Sequence, residues 1–141
     1  MRVLTALRRQ YPRNRLVVLE AGATAARAKR AADADRLLTE GLAMLARDGR
    51  ARMPGEEALW HYKRGVARVM LHRREDAQAD LRVAVRPDAA GWVQGRAHVE
   101  MARLASQQGD RATMQREVSL AVGLCGRSGD PICVADAKQL K

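Results

Sequence analysis

The sequence predicts an all-α fold of antiparallel helix hairpins, and three observations favour it. The apolar residues are mainly Ala, Leu and Val, with no Phe, two Trp and two Tyr. Such side chains let helices pack closely but fill a barrel or sandwich core poorly. One apolar pattern recurs with the spacing of a single helix face. Short turn signals separate paired segments, as in antiparallel hairpins. The length of 141 residues predicts one domain.

The recurring pattern belongs to one amphipathic helix that occurs three times. The copies carry small or apolar residues at equal offsets: Ala34, Leu38, Gly41, Leu42 and Leu45; Ala77, Leu81, Ala84 and Val85; Met114, Val118, Ala121, Val122 and Cys125. The small third residue predicts a close helix crossing. Another helix precedes each copy, marked by a small residue 12 positions upstream of the first apolar residue: Gly22, Gly65 and Ala102.

Turn and cap residues set the bounds of the predicted helices. Each proline falls between helices or at a helix start, where a missing amide hydrogen is tolerated: Pro12, Pro54, Pro87 and Pro131. Gly109 ends one helix and Asp110 begins the next, and Asp130 caps the helix that starts at Pro131. The predicted helices span 1–9, 15–28, 31–47, 56–70, 75–86, 93–107, 111–126 and 131–140.

The pattern resembles the tetratricopeptide repeat (TPR), a helix–turn–helix unit of about 34 residues. This family has small residues at places 8, 20 and 27 of the unit and a bulky apolar residue at place 24. Three units match: 15–48 with Gly22, Ala34, Leu38 and Gly41; 58–91 with Gly65, Ala77, Leu81 and Ala84; 95–128 with Ala102, Val118 and Ala121, but with Met114 at place 20. The resemblance implies a right-handed α-solenoid of about three repeats, preceded by a half repeat at 1–14 and followed by a capping helix at 131–140.

The half repeat begins inside a second helix, with Leu4, Leu7 and Pro12 at places 24, 27 and 32. We therefore expect this segment to belong to a longer repeat array, with any targeting signal upstream. The stretch from Met1 to Arg15 carries five Arg and no long apolar run, so it does not resemble a signal peptide. No apolar run approaches the roughly 18 residues of a membrane span. The compartment stays open, with the cytoplasm as the default.

An inserted loop at 49–57, GRARMPGEE, interrupts the repeat period. Insertions in such arrays map to loops on one face, and we expect this one to be open to proteases. In the unit that follows, Arg64 and Arg68 stand at places 7 and 11, which usually pack against the neighbouring helix. Two explanations stay open. Either their stems lie along apolar surface with the charges in water, or the packing after the insertion is altered.

The resemblance also implies that the first helix of each unit lines a concave groove through places 2, 5, 9 and 12. The predicted partner-binding residues are Leu19, Ala23, Tyr62, Val66, Arg96, Val99 and Arg103. The groove is apolar in its N-terminal part and basic at its C-terminal end, which suits a peptide with an acidic side chain or carboxylate. Alternatively, the cut end of the array or a partner repeat covers this surface, and self-association is also possible.

The expected function is therefore a protein-interaction scaffold that binds a protein or peptide partner. A formal net charge of +10, with 22 Arg against 4 Lys, raises the rival hypothesis of a nucleic-acid-binding α-solenoid with an Arg-rich surface. Acidic residues are interspersed, however, and no aromatic residue recurs at a fixed place to stack on bases. Family members that clamp the C-terminal carboxylate of chaperones use groove Lys, Arg and Asn. The only Asn here is Asn14, in a turn, so that subtype is not expected.

Nothing in the sequence predicts an enzyme, a metal site or a cofactor. There is no Gly-rich phosphate loop, HExxH or GxSxG motif, and the Glu56–Glu57 pair fits acids that complement the dipole of a first helix turn. The three histidines are too scattered for a metal site. His61 and His98 both fall at place 4 of their units, where we expect packed imidazoles.

Two further residue types have an expected structural role. Cys125 takes the place of Leu45 in the repeat, so we expect a small buried apolar residue; a disulfide with Cys133 is the alternative. Trp60 and Trp92 flank helix starts and are expected to fill gaps beside the inserted loops.

Overall fold

The structure, a computed structural model, describes residues 2–140. Within this range the chain forms eight α-helices and no strand: α1 Arg2–Gln10, α2 Arg15–Arg27, α3 Ala31–Arg47, α4 Glu56–Met70, α5 Arg74–Ala84, α6 Gly91–Gln107, α7 Arg111–Arg127 and α8 Pro131–Gln139. The all-α prediction is confirmed, and the predicted bounds lie within two residues of these. The predicted inclusion of Met1 in the first helix falls outside the described residues. None of these helices is both long and apolar enough to cross a membrane.

Helices contact only near neighbours in the chain. The most extensive contacts are within the pairs α2–α3, α4–α5 and α6–α7. The helices that begin each pair, α2, α4 and α6, also contact one another in order, and α6 contacts α8. In the described part of the chain no contact joins helices more than two apart. Each helix pair therefore packs against the next pair along the chain.

Small residues lie where the first two paired helices cross. A Cβ atom added to Gly22 would stand 2.6 Å from Leu38 Cγ, and one added to Gly41 would stand 2.5 Å from Leu19 Cδ2. Both distances are far below ordinary van der Waals contact, so only glycine allows this separation of the helices. Leu19 and Leu38 have no exposed surface. The glycine–leucine crossings therefore form the centre of the N-terminal core.

The turns between helices share one backbone conformation. Lys29, His72 and Gly109 have φ angles of 60°, 56° and 71°, and Gly129, before α8, has 67°. This left-handed conformation commonly ends a helix. The next helix begins two residues later, and Asp110 caps α7 with its side chain. The same short turn therefore reverses the chain between α2 and α3, α4 and α5, α6 and α7, and α7 and α8.

Arg15 anchors the inserted loop to α2. Its guanidinium donates hydrogen bonds to the Glu56 carboxylate at 3.1 and 3.2 Å and pairs with Asp48. Glu56 is only 3 % exposed and also accepts a hydrogen bond from the Met53 amide at 3.0 Å. Glu56 lies in the first turn of α4, as expected of an acid that complements the helix dipole, and it is in addition a buried ion-pair partner of Arg15.

Candidate partner-binding face

One side of α2, α4 and α6 carries side chains that remain at least partly exposed. They stand at places 2, 6, 9 and 13 of the units, three or four residues apart along each helix, and so share one side of it. We call this surface the first-helix face. Its members are Leu16, Glu20 and Arg27 of α2; Leu59, Lys63, Val66 and Met70 of α4; and Arg96, Glu100, Arg103 and Gln107 of α6. Helix α4 contacts both α2 and α6, so this side continues from one first helix to the next, and the charges of Glu20, Arg27 and Arg96 act on the pKa of Lys63.

The predicted groove residues divide into an exposed and a buried group. Three lie on the first-helix face: Val66, Arg96 and Arg103. Four are buried, with between 0 and 8 % of their surface exposed: Leu19, Ala23, Tyr62 and Val99. All four belong to the core and so, contrary to the prediction of an open groove lined by them, they expose little surface to a partner. The first helices pack against one another, so place 5 faces a neighbouring helix. Place 6, about 100° further round the helix, is exposed instead.

Lys63 occupies the middle of the first-helix face. Its Nζ lies 5.7 Å from the centroid of the Tyr62 ring, whose π electrons attract a cation. Burial lowers the pKa of the Lys63 ammonium; the charges of Arg27 and Arg96 lower it further, while Glu20 acts in the opposite direction. Within residues 2–140 Lys63 forms no ion pair. Arg27 and Arg96 therefore repel the Lys63 ammonium, and Glu20 is the one carboxylate that acts on it in the favourable direction.

An aromatic pair borders this cation. The rings of Tyr62 and Trp92 meet edge to face, with centroids 6.3 Å apart, and Trp92 is 37 % exposed. Burial raises the pKa of Tyr62 to about 12, so its hydroxyl stays protonated at neutral pH. The Arg96 guanidinium lies 5.8 Å from the Trp92 ring and donates to Asp130 at 2.6 and 3.0 Å. The Arg96 guanidinium is thus already paired with Asp130, the residue that caps α8, whereas the Trp92 side chain is partly exposed to solvent.

Glu100 is the least solvated carboxyl of the first-helix face. Its side chain is 13 % exposed, and its Oε1 lies 3.5 Å from Arg103 Nε. The Arg103 Nε is itself buried and makes no hydrogen bond. Burial raises the pKa of Glu100 to about 7; Arg103 and Lys29 oppose that rise and Asp136 adds to it. This carboxyl therefore exchanges a proton near neutral pH, which changes the net charge of the face.

A second ionic cluster lies away from this face, between α3, α4 and α5. Asp80 is 1 % exposed and accepts hydrogen bonds from Arg64 Nη2 at 2.7 Å and Arg68 Nη1 at 2.9 Å, while His61 Nδ1 lies 2.8 Å away. Arg68 also donates to Asp35 at 2.7 Å. Arg64 and Arg68 therefore do not extend their charges into water at places 7 and 11. They turn inward to neutralise a carboxylate of the paired helix.

His98 repeats the arrangement of His61. Its Nδ1 lies 2.5 Å from Glu117 Oε2, and in both units the histidine and the carboxylate are 19 residues apart. Both imidazoles are mostly buried, as expected, but each also joins the two helices of its pair through a carboxylate. The sequence signal for this role was the equal spacing of the two His–carboxylate pairs.

A disulfide joins α7 to α8. Cys125 and Cys133 are bonded, with Cα atoms 5.8 Å apart, within the usual range for a disulfide, and both are buried. The structure therefore contains the disulfide that the sequence left open as the alternative role of Cys125.

Trp60 is buried among core residues of α2 and α3. Within residues 2–140 no three His, Cys, Asp or Glu side chains are grouped to hold a metal ion.

Comparisons of this chain with protein-family models, curated proteins and solved structures gave no match. The resemblance to the tetratricopeptide repeat therefore depends on the residues and spacing described above. The candidate site depends on the exposure and charge of the first-helix face.

Proposed function

We propose that the chain is a TPR-like protein-interaction scaffold, a right-handed α-solenoid that binds a peptide or protein segment on its first-helix face. The repeated small residues at the helix crossings and the contacts between successive helix pairs support the solenoid. The observation that supports binding most directly is the face itself. Helices α2 and α4 contribute apolar side chains, and the three successive first helices together contribute four cations, Arg27, Lys63, Arg96 and Arg103, to one partly exposed surface.

The same observations favour a binding role over catalysis. The most closely packed ionic groups, around Asp80 and Arg15, lie between helices and neutralise one another. Their charges stabilise helix packing and do not face an open surface. The first-helix face instead offers dispersed apolar and charged side chains, which suit contact with an extended or helical segment.

Nucleic-acid binding is the second candidate, because the net charge is +10. Two features of the first-helix face count against it. Glu20 and Glu100 lie among the cations and would repel a continuous phosphate backbone, and Trp92 is the one aromatic side chain of α2, α4 or α6 that is more than a third exposed. Single-strand binders usually stack several bases on aromatic rings.

Peptide selection on the immobilised protein tests the proposal without a known partner. A library of displayed 12-residue peptides is selected against the wild type, and the binders are then measured on two variants. Val66→Glu places a carboxylate on the first-helix face. Leu120→Glu makes the same kind of change at an exposed leucine of α7, away from it. Circular dichroism melts first establish that both variants remain folded.

We expect Val66→Glu to weaken binding by about tenfold or more, because it places an unpaired charge at a central apolar contact, and Leu120→Glu to leave it unchanged. Equal losses in both variants, or peptides that bind both unchanged, contradict the assignment of this face. A 20-nucleotide RNA or DNA that binds more tightly than any peptide, with a steep loss of affinity at higher salt, would favour the nucleic-acid candidate.

A further inference from the structure

We propose that the partner of the first-helix face is an acidic peptide segment, and that Lys63, flanked by Arg27 and Arg96, forms the seat for one of its side-chain carboxylates. This inference rests on the proposed function and names the chemistry of the partner. The seat lies at the centre of the face, on α4, rather than at the C-terminal end that the sequence had favoured.

The first argument compares Lys63 with the other partly buried cations of this chain. Partly buried arginines face carboxylates: Arg15 faces Asp48 and Glu56, Arg64 and Arg68 face Asp80, and Arg96 faces Asp130. Lys63 is also partly buried but has no carboxylate partner in the described part of the chain. Like charges that lack a counter-charge are unfavourable, and the unfavourable energy grows as water is excluded. A bound carboxylate supplies the missing counter-charge.

The second argument is geometric. Lys63 Nζ lies 5.7 Å from the centroid of the Tyr62 ring, that ring meets the Trp92 ring with centroids 6.3 Å apart, and the Arg96 guanidinium lies 5.8 Å from the Trp92 ring. Helix α4 also contacts both α2 and α6, and Arg27 of α2 and Arg96 of α6 both lower the pKa of Lys63 by repulsion. Glu20 is the one carboxylate that acts on Lys63 in the favourable sense, and it is exposed and forms no ion pair with it. A lysine ammonium is a compact charge that accepts carboxylates from several directions. The position therefore fits a single carboxylate that approaches from solvent.

The third argument concerns the surroundings of the seat. On α4 the neighbours of Lys63 on this face are Leu59, Val66 and Met70, and Trp92 borders it from α6. These side chains favour apolar residues next to the acidic residue of the partner. The carboxylates at Glu20 and Glu100 disfavour a uniformly charged chain. A peptide with an isolated Asp or Glu among apolar residues satisfies both conditions, whereas a nucleic-acid backbone does not.

The experiment repeats the peptide selection against wild type and Lys63→Met, which keeps an unbranched side chain one atom shorter and removes the charge. Lys138→Met is the matched control, because Lys138 is an exposed lysine of α8. We expect Asp and Glu to be enriched among peptides selected by wild type and by the control, and not among those selected by Lys63→Met. Melting curves of all three proteins establish that they are folded.

Direct contact is then measured with one selected peptide and its Glu→Gln or Asp→Asn form. Fluorescence anisotropy gives Kd for the four combinations of wild type or Lys63→Met with either peptide. We expect each single change to weaken binding by about tenfold or more and the double change to add little further loss, because both remove the same ion pair. Additive losses would overturn the seat, since Lys63 and the acidic residue would then act independently.

Two other outcomes separate this inference from the proposed function. Peptides that Val66→Glu excludes but that show no acidic enrichment overturn the carboxylate seat and leave the face as a binding site. An absence of any selected peptide overturns both. Competition of a 20-nucleotide RNA for the same acidic peptide, at a lower Kd than the peptide, overturns the inference in favour of nucleic acid.

Discussion

Asp80→Asn tests whether the buried ionic cluster between α3, α4 and α5 stabilises the fold. The substitution keeps the shape of the side chain and removes its charge. Asp80 is 1 % exposed and lies within hydrogen-bond distance of His61, Arg64 and Arg68, so the change leaves two arginines facing an amide. Breaking a buried ion pair by removing one partner typically costs about 3–5 kcal/mol.

The structure favours the lower end of that range. The Arg64 and Arg68 side chains keep 14 and 12 % exposure, so water reaches them, and Asp35 still compensates Arg68. We therefore expect a loss of about 3 kcal/mol, a large share of the roughly 5–15 kcal/mol that holds a typical domain folded. Urea unfolding followed by circular dichroism gives the value, provided the slope m is unchanged.

Asp76→Asn is the matched control on the same helix. Asp76 pairs with Arg73 at 2.6 Å, but both side chains are nearly half exposed, and exposed pairs contribute below about 1 kcal/mol. A loss for Asp80→Asn no larger than that of Asp76→Asn would refute the claim that this cluster stabilises the fold.

The effect of pH gives a second test of the same cluster. Burial acts to raise the pKa of Asp80, but the hydrogen bonds from His61 and Arg64 outweigh it, and the pKa lies below its ordinary value of 3.8. A carboxyl whose pKa is lowered in the folded state stabilises the fold at pH values above about 3.8, and this stability is lost as the pH falls through the folded-state pKa. The difference in stability between wild type and Asp80→Asn should therefore shrink as the pH falls below about 3.8. A difference that stays constant there would contradict this cause.

Three further predictions follow from the same structure. Leu81→Ala should destabilise the protein by about 2–5 kcal/mol in urea unfolding, because Leu81 is fully buried opposite Gly65; a loss well below 1 kcal/mol would contradict the repeat register. Burial raises the pKa of Glu100 from 4.5 to about 7. This shift stabilises the folded state by up to about 3 kcal/mol below pH 4.5, and that stability is lost as the pH rises through 7. Urea unfolding at pH 5 and pH 8.5 should show this loss for wild type and not for Glu100→Gln, and equal losses would contradict it. Limited trypsin should cut first at Arg50, whose side chain is 66 % exposed in the inserted loop, and a first cut at Arg82 would contradict the assignment of α5.

The sequence also indicated several tertiary features correctly, because they follow from helix periodicity. Gly41 was placed at a close helix crossing from its position in the repeated pattern, and it faces Leu19 of its paired helix. Leu38 and Leu81 were placed in the core on the same grounds and are fully buried. The partner-binding role of Val66, Arg96 and Arg103 stays a prediction.

The sequence by itself determined the helices and their order. Helix bounds follow from residues within a few positions of one another: an apolar residue every three or four positions, a capping side chain, a proline at a start and a left-handed residue at an end. The turns at Gly109 and Gly129 and the cap at Asp110 are local in this sense. Because these interactions join residues that are close together in the sequence, the sequence alone was sufficient to predict the eight helices.

Only the tertiary structure decided which side of each helix stays exposed and which distant charges meet. Neighbouring residues on a helix point about 100° apart, so a modest rotation of α4 against its neighbours decides between Tyr62 and Lys63 as the surface residue. The pairing of Asp80 with Arg64 joins residues 16 positions apart, on two different helices. Such contacts depend on how whole helices pack against one another, which no short stretch of sequence specifies.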